Sequence, residues 1–241
     1  MYKGVYEFAG IAVEINSIYD YIHKMSKKYK TNKNAKYVID ISEEDIENEN
    51  NNSIDNTTSF PPAYLESLAV YRKFLGFASL ENVFLFHSSS FMIDDNAFIL
   101  TAPSGTGKST HARYLKEVYQ DRFKIINDDK PLVKMVGDDF YIYGTPWNGK
   151  HGLDNNVSAK VKGIFVLYQC KENVISKMDS SNSFNYIYKQ VHRPLGKNKM
   201  ASVLNMIIKM SKVVPCYHFG CTNSIDAALC SKQIIDRLNE E

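Results

Sequence analysis

The stretch Phe98-Ile-Leu-Thr-Ala-Pro-Ser-Gly-Thr-Gly-Lys-Ser-Thr-His111 decides the fold of this chain. It starts with residues typical of a buried strand, continues as a tight loop of small residues and ends in residues typical of a helix. The segment from Ala102 to Ser109 matches the phosphate-binding loop pattern, with Ala at the first position in place of the usual Gly. A strand before this loop and a helix after it are the context that the pattern requires. We therefore predict a nucleotide phosphate site here.

The residue types of the loop suit phosphate chemistry. The glycines at 105 and 107 allow the backbone to turn its N–H groups toward phosphate oxygens. Lys108 brings an ammonium to the β- and γ-phosphates, and Ser109 offers a hydroxyl to Mg²⁺. The following helix adds the positive end of its dipole. The predicted nucleotide-binding residues are Ser104, Gly105, Thr106, Gly107, Lys108, Ser109 and Thr110.

The composition is that of an ordinary globular protein. Of the 241 residues, 44% are hydrophobic and 23% charged, and the formal net charge is +2. Charge therefore gives no reason to predict a nucleic-acid or membrane partner. No apolar run approaches the ~18 residues that span a bilayer, and the first residues lack the apolar core of a signal peptide. We expect a cytoplasmic protein.

The four cysteines contain no C-x-x-C pair and lie in or beside apolar segments. Buried, reduced thiols are the default interpretation for such residues. A disulfide between Cys216 and Cys221 is the alternative.

The remaining patterns predict an α/β fold. Residues 1–80 are expected to form a small N-terminal α+β portion, which contains a flexible acidic and Asn-rich loop at 43–60. Residues 81–241 predict hairpins with flanking helices, and hence a catalytic domain with a mixed sheet. The stretch from Lys24 to Lys36 holds six lysines, and we favour a solvated surface over a nucleic-acid patch.

Two adjacent carboxylates follow the loop helix. Phosphoryl transfer needs a carboxylate for a metal, a base for the acceptor and cations for the moving phosphate. Asp128 and Asp129 close a predicted strand, and strand ends near the loop share one crevice. Because adjacent residues of an extended chain point to opposite sides, one carboxylate is predicted to face Mg²⁺ and the other the acceptor hydroxyl.

Four other residues keep two interpretations each. His87 lies on a strand predicted to pair beside the loop strand, and from spacing alone a phosphate contact and a structural role stay open. Lys150 and Arg193 are either phosphate clamps or ordinary surface cations. Trp147, the only tryptophan, is either a stacking platform for a base or peptide or a packing anchor.

The order of His87, the phosphate loop, its helix and Asp128-Asp129 resembles the catalytic domain of HPr serine kinase/phosphorylase. That domain is in turn similar to ATP-dependent phosphoenolpyruvate carboxykinase. The resemblance covers roughly residues 83–238 and implies a mixed-sheet P-loop kinase core of that type. The roles that it implies are general base for Asp128, phosphate contacts for Lys108 and His87, and Mg²⁺ ligands for Ser109 and Asp129.

Segments at 130–132, 143–150 and 214–221 look like those of shorter HPr-kinase-like proteins, some of which phosphorylate a serine of ribosomally made peptides. The resemblance implies ATP as donor and a serine of a peptide or small protein as acceptor. Because the resembling kinases are often oligomers, it also implies a homo-oligomer. The family has a Glu-Ile-Arg-Gly-Leu-Gly signature where this chain has Asn148-Gly-Lys-His-Gly152. The Glu of that signature has no carboxylate counterpart here, so phosphorylase activity and HPr as substrate are not predicted.

The residues predict a Mg²⁺-dependent kinase that acts on a hydroxyl, and the resemblance implies that its donor is ATP. One alternative is a small metabolite as acceptor, which no sequence feature excludes. The other is a nucleotide-binding switch or adaptor without transferase activity. The Asp128–Asp129 pair favours transfer, because a pure nucleotide binder needs no second carboxylate.

Overall fold

The computed structural model describes residues 1–51 and 60–240. The strands there are β1 (Tyr2–Phe8), β2 (Ile11–Ser17), β3 (Tyr37–Asp40), β4 (Val83–Leu85), β5 (Ser89–Ile93), β6 (Asn96–Thr101), β7 (Phe123–Asn127), β8 (Leu132–Val136), β9 (Asp139–Tyr143), β10 (Ser158–Gln169), β11 (Val174–Lys177) and β12 (Cys216–Cys221). The α-helices are α1 (Tyr21–Met25), α2 (Glu43–Asn51), α3 (Pro62–Ala78), α4 (Lys108–Tyr119), α5 (Ser180–Gln190), α6 (Lys197–Val213) and α7 (Ile225–Glu240).

The N-terminal sheet is built on a tight hairpin. Strands β1 and β2 pair antiparallel, and β3 pairs parallel with β2. Ala9 and Gly10 connect the hairpin with φ angles of 51° and 78°, and such positive values are typical of a two-residue hairpin turn. Helix α3 packs on this sheet around a core that contains Phe8, Val70 and Phe74.

The larger sheet has nine strands, and its strand directions position the candidate site. Strand β5 runs antiparallel to both of its neighbours, β6 and β7, so β6 and β7 run in the same direction. Strand β10 is parallel to both β6 and β12. The carboxyl ends of β6, β7, β10 and β12 therefore meet at one edge, which is where α/β folds bind ligands. The prediction of an α/β fold with a mixed sheet is confirmed.

Helices cover both faces of this sheet. Along β6, Phe98 and Leu100 belong to the same apolar cluster as residues of α4 and α7, whereas Ala97 and Ile99 cluster with residues of α5 and α6. A strand that is buried on both faces is a continuous apolar run in sequence. This burial explains why β6 is predictable without an alternating pattern.

The predicted loop at 43–60 is wrong for Glu43–Asn51, which forms helix α2. The start of α2 is capped by Ser42, whose hydroxyl accepts from the Asp45 backbone N–H at 3.3 Å. Arg72 of α3 binds the buried carboxylate of Glu49, and Lys73 pairs with Asp45 at 2.7 Å. Composition misleads here because α2 is held against α3 largely by these ion pairs, with Ile46 as its apolar contact to the core. Residues 52–59 of the predicted loop lie outside the described residues.

Trp147 is a packing anchor and not an exposed stacking platform. It is 3% exposed, its ring stacks on Tyr71 at a centroid distance of 4.2 Å, and its indole N–H donates to the Ser67 carbonyl at 2.9 Å. It shares one apolar cluster with Phe8 of β1. The core of the N-terminal portion thus extends across residue 80, and the domain division at that residue stays a prediction.

The four cysteines are all free, and Cys170 is exposed, against the prediction of buried thiols. Cys216 and Cys221 occupy opposite ends of β12. They are about 16 Å apart at ~3.3 Å per residue, so the alternative disulfide does not form. No helix within residues 1–51 and 60–240 combines the length and apolar character needed to cross a bilayer.

Ion pairs occupy much of the lysine-rich stretch at 24–36. The pairs are Lys24 with Asp20, Lys28 with Asp154, Lys33 with Glu7, and Lys36 with Glu81. This arrangement agrees with an ordinary protein surface.

Candidate functional site

The predicted phosphate loop, residues 102–109, lies between β6 and α4 at the edge of the sheet where four strands end. Gly105 and Gly107 have φ angles of 79° and 116°, which L side chains rarely adopt, so conformation requires glycine at both positions. The Thr106 hydroxyl donates to the Pro103 carbonyl at 2.8 Å and closes the turn. Lys108 is half-buried, and its ammonium donates to the Ala102 carbonyl at 2.8 Å. The loop therefore has the strand, turn and helix that the pattern requires.

His87 and Asp129 meet next to the loop. His87 Nδ1 lies 3.5 Å from Asp129 Oδ1, and Lys130 forms an ion pair with the other carboxylate oxygen. Burial lowers the pKa of His87 below its usual value, although Asp129 acts in the opposite direction. Burial also lowers the pKa of Lys108, again against the attraction of Asp129. The structure thus places His87, Lys108 and Asp129 within electrostatic reach of one another.

Asp128 faces a different environment from Asp129. Its side chain is nearly buried, and Oδ1 accepts a hydrogen bond from the Gly149 backbone N–H at 2.7 Å. Burial raises the pKa of Asp128 above the usual aspartate value; the Gly149 hydrogen bond lowers it, and the neighbouring Asp129 raises it further. The two carboxylates therefore point into separate surroundings, as the alternation along an extended chain predicts.

Asn127 orders this turn and is absent from the sequence predictions. Its amide group is fully buried and donates to the Thr145 carbonyl at 2.9 Å and to the Trp147 carbonyl at 3.2 Å. Its Oδ1 accepts from the backbone N–H groups of Asp129 and Lys130 at 2.8 and 2.7 Å. Every polar atom of this side chain is used, so Asn127 fixes the backbone that presents both carboxylates. An Asn directly before two Asp residues was the only available signal.

Asn127→Asp is expected to lower the free energy of unfolding by about 2 kcal/mol, because it keeps the shape but removes the donors to two buried carbonyls. Urea denaturation measures this change. Asn156→Asp makes the same charge change at an exposed position and is the control. Equal stability of the two variants would contradict the role of Asn127.

The first cleft lies between the loop helix and β7. It has a volume of about 520 Å³ and is lined by Ser89, Ser109, Thr110, Ala112, Arg113, Lys116, Phe123, Lys124, Ile125, Asp128, His151, Leu153 and Asn155. Asp128 and the loop residue Ser109 therefore share one cavity. Ser89 is fully buried, and its hydroxyl has no hydrogen-bond partner among the described residues. A bound oxygen or nitrogen atom would satisfy this hydroxyl, a feature that no sequence pattern indicates.

The second cleft lies on the other side of the loop, at the ends of β10 and β12. Its volume is about 410 Å³, and it is lined by Gly105, Thr106, Gly107, Thr110, His111, Tyr114, Gln169, Cys170, Cys221, Thr222 and Asn223. Thr110 lines both clefts. The phosphate loop thus separates two cavities that open at the same edge of the sheet.

The structure connects Lys150 and Arg193 to the site only through residues next to them in sequence. Lys150 is exposed in the turn that the Gly152 N–H closes on the Gly149 carbonyl at 3.0 Å, immediately after the residue that binds Asp128. Arg193 is also exposed, and its guanidinium lies over the Tyr188 ring at 5.5 Å. Its neighbour His192 pairs with the backbone of Leu85, which brings the segment near His87. A phosphate-clamping role for either cation stays a prediction.

The N-terminal portion supports the site through Asp154. The Tyr29 hydroxyl donates to the Asp154 carboxylate at 2.9 Å, and Lys28 pairs with the same oxygen at 3.3 Å. The Asn148 side-chain amide donates to the other oxygen at 2.6 Å. Because Asn148 and Asp154 flank the segment that includes Gly149, these bonds hold the loop that contacts Asp128.

The predicted Mg²⁺ ligands suit that ion. Mg²⁺ in kinase sites is held by one or two carboxylates together with substrate phosphates, and not by an all-protein cage. Asp129 supplies a carboxylate within electrostatic reach of Lys108, and Ser109 supplies an exposed hydroxyl at the start of α4. Within residues 1–51 and 60–240, no cluster of three or more His, Cys, Asp or Glu side chains could hold a metal by itself. The donor set therefore fits a metal that arrives with a nucleotide.

Comparisons with known proteins yield only distant structural neighbours. No protein-family model matches the chain, and no curated protein matches its sequence. Among solved structures it is similar to the Hpr(Ser) kinase/phosphatase from Coxiella burnetii, with 12% sequence identity and a TM-score of 0.39. The similarity covers 64% of this chain and 88% of that chain. A likeness of this degree says nothing about the reaction.

Proposed function

We propose that this protein is an ATP- and Mg²⁺-dependent kinase that transfers the γ-phosphate to a hydroxyl, namely a serine of a peptide or small protein. The observation that carries the proposal is the position of Asp128. This carboxylate is nearly buried and lines the same cleft as Ser109 of the phosphate loop. A nucleotide switch needs a phosphate loop but no second carboxylate directed at the acceptor side, so the cleft favours transfer.

In the proposed reaction Asp128 accepts the proton of the acceptor hydroxyl. The hydroxyl oxygen then forms a bond to the γ-phosphorus, and the bond to the β-phosphate oxygen breaks to release ADP. Lys108 and His87 contact the transferring phosphoryl group. Ser109 and Asp129 would hold Mg²⁺, which neutralises phosphate charge when it is bound.

The two clefts are assigned to the two substrates. The acceptor occupies the first cleft, because Asp128 lines it. The nucleoside of ATP occupies the second cleft, beside Gly105 and Gly107 of the loop. Thr110 borders both cavities, so a phosphate chain held by the loop would pass between them.

ATP is expected to slow alkylation of Cys170 several-fold, because this exposed thiol lines the second cleft. Mass spectrometry of peptides after timed treatment with iodoacetamide measures the rate. Cys230 is the internal control, since it is partly exposed on α7 and does not line this cleft. Equal protection of both thiols, or of neither, would contradict the assignment of the nucleoside to this cleft.

The reaction is tested with labelled ATP, Mg²⁺ and serine-containing peptides. Phosphate on a peptide serine, detected by its added mass, supports the proposed function. Nucleotide binding without transfer or hydrolysis would support a switch. Transfer only to small molecules would support the metabolite alternative. The cytoplasmic location, the homo-oligomer and the absence of a nucleic-acid partner stay predictions.

A further inference from the structure

We propose that the acceptor is an acidic peptide segment that places an apolar side chain in the first cleft, next to the hydroxyl that is phosphorylated. This inference rests on the proposed function and specifies its substrate. The cleft combines an apolar floor with cations around it. Both features point to one kind of occupant.

The floor of the first cleft is apolar and accessible. Phe123 and Ile125 project from β7 and are partly exposed, and Leu153 is 45% exposed. Water contact with these side chains is unfavourable, and an apolar side chain of a bound peptide would remove it. These residues line the same cavity as Asp128, so a peptide anchored here presents a neighbouring hydroxyl to the proposed base.

Three cations border this floor: Arg113 and Lys116 on α4, and Lys124 on β7. All three are exposed, and none forms an ion pair with a carboxylate of the described residues. Their situation differs from that of Arg122, the cation just before β7, which pairs with Asp94 at 2.7 Å. Cations around a cleft that have no carboxylate partner attract an anionic ligand.

The other side chains of the cleft do not offset this charge. Asp128 is the one carboxylate among the lining residues, and its side chain is nearly buried. An acidic peptide therefore matches the rim, and an apolar residue matches the floor. A nucleic acid would match the rim alone.

The test uses two sets of serine peptides that differ only in flanking residues, with Glu and Leu in one set and Lys and Leu in the other. The natural protein is expected to phosphorylate the acidic set with a kcat/KM at least tenfold higher, and raised salt is expected to reduce the difference. The double variant Lys116→Glu/Lys124→Glu is expected to lower kcat/KM for the acidic set at least tenfold, mainly through KM. It is expected to raise kcat/KM for the basic set.

The matched control is Lys212→Glu/Lys177→Glu. Like Lys116, Lys212 lies in the last turn of a helix, and like Lys124, Lys177 lies in a strand; both control lysines are exposed and away from the cleft. The control carries the same change in net charge. Its kcat/KM for each peptide set is expected to stay within about twofold of that of the natural protein. An equal effect of the control would overturn the proposal, since only overall charge would then matter.

The remaining outcomes separate this proposal from the proposed function. Phosphorylation of peptides without preference for acidic flanks would overturn the acidic acceptor and leave the kinase intact. Transfer to no peptide of either set would count against the proposed function. Fluorescence anisotropy with a labelled acidic peptide that carries Ala for Ser then decides whether docking itself occurs. Loss of that binding in Lys116→Glu/Lys124→Glu, but not in the control variant, supports docking. Stronger competition by an oligonucleotide than by the unlabelled acidic peptide overturns it.

Discussion

Asp128→Asn is expected to abolish phosphoryl transfer while ATP binding survives. Asn has almost the same shape as Asp, and its side-chain oxygen retains the hydrogen bond from the Gly149 N–H. It does not accept the proton of an acceptor hydroxyl at neutral pH. Loss of a general base slows a reaction by about 10²–10⁴-fold. Initial rates of peptide phosphorylation and titration with a fluorescent ATP analogue measure the two effects separately.

The pH dependence gives an independent check on Asp128. The base works only when ionised, so kcat/KM of the natural protein is expected to fall as the pH drops through the pKa of Asp128. Because burial raises this pKa, the loss begins at a higher pH than for an exposed aspartate. Residual activity of Asp128→Asn should lack this acidic limb. Asp138→Asn, at a highly exposed carboxylate, is the control, and full activity of Asp128→Asn would remove Asp128 from the mechanism.

Lys108→Met is expected to weaken ATP binding and to lower the rate of transfer by about 10²–10³-fold, the usual cost of losing one preorganised group that stabilises transition-state charge. Met preserves the unbranched stem of the side chain up to the ε carbon, with sulfur in place of the δ-methylene, and removes the ammonium. The variant also loses the hydrogen bond to the Ala102 carbonyl inside the loop. Nucleotide titration and single-turnover kinetics with an acceptor peptide measure binding and chemistry.

A thermal unfolding curve distinguishes loss of charge from damage to the loop. Lys108→Met is expected to melt within a few degrees of the natural protein, because its own side chain is only half-buried. Lys212→Met, on the exposed surface of α6, controls for the removal of a lysine. Unchanged ATP affinity and unchanged transfer in Lys108→Met would show that the loop does not hold the phosphates as proposed.

The structure corrects the sequence predictions where distant parts of the chain meet. Helix α2 was predicted as a loop because its residues offer little to bury, yet Arg72 and Lys73 of α3 hold it by ion pairs. The sequence alone leaves two interpretations of Trp147 open, because it does not reveal which residues pack against a tryptophan in a Gly-rich loop. Tyr71 and Ser67, far away in sequence, make it a packing anchor. Each outcome depends on contacts that no local pattern contains.

The sequence by itself determined the phosphate loop and the adjacent carboxylates, because both are local patterns. One short stretch contains the strand, the glycine turn and the first residues of the helix. The conformations that its residues prefer dictate all three. Only the tertiary structure decided how these parts combine. Strand β5 lies between β6 and β7, which brings the loop, His87 and Asp128 to one edge. The Ser89 hydroxyl, which has no partner within residues 1–51 and 60–240, likewise depends on this packing, because strand pairing and burial are set by the whole chain.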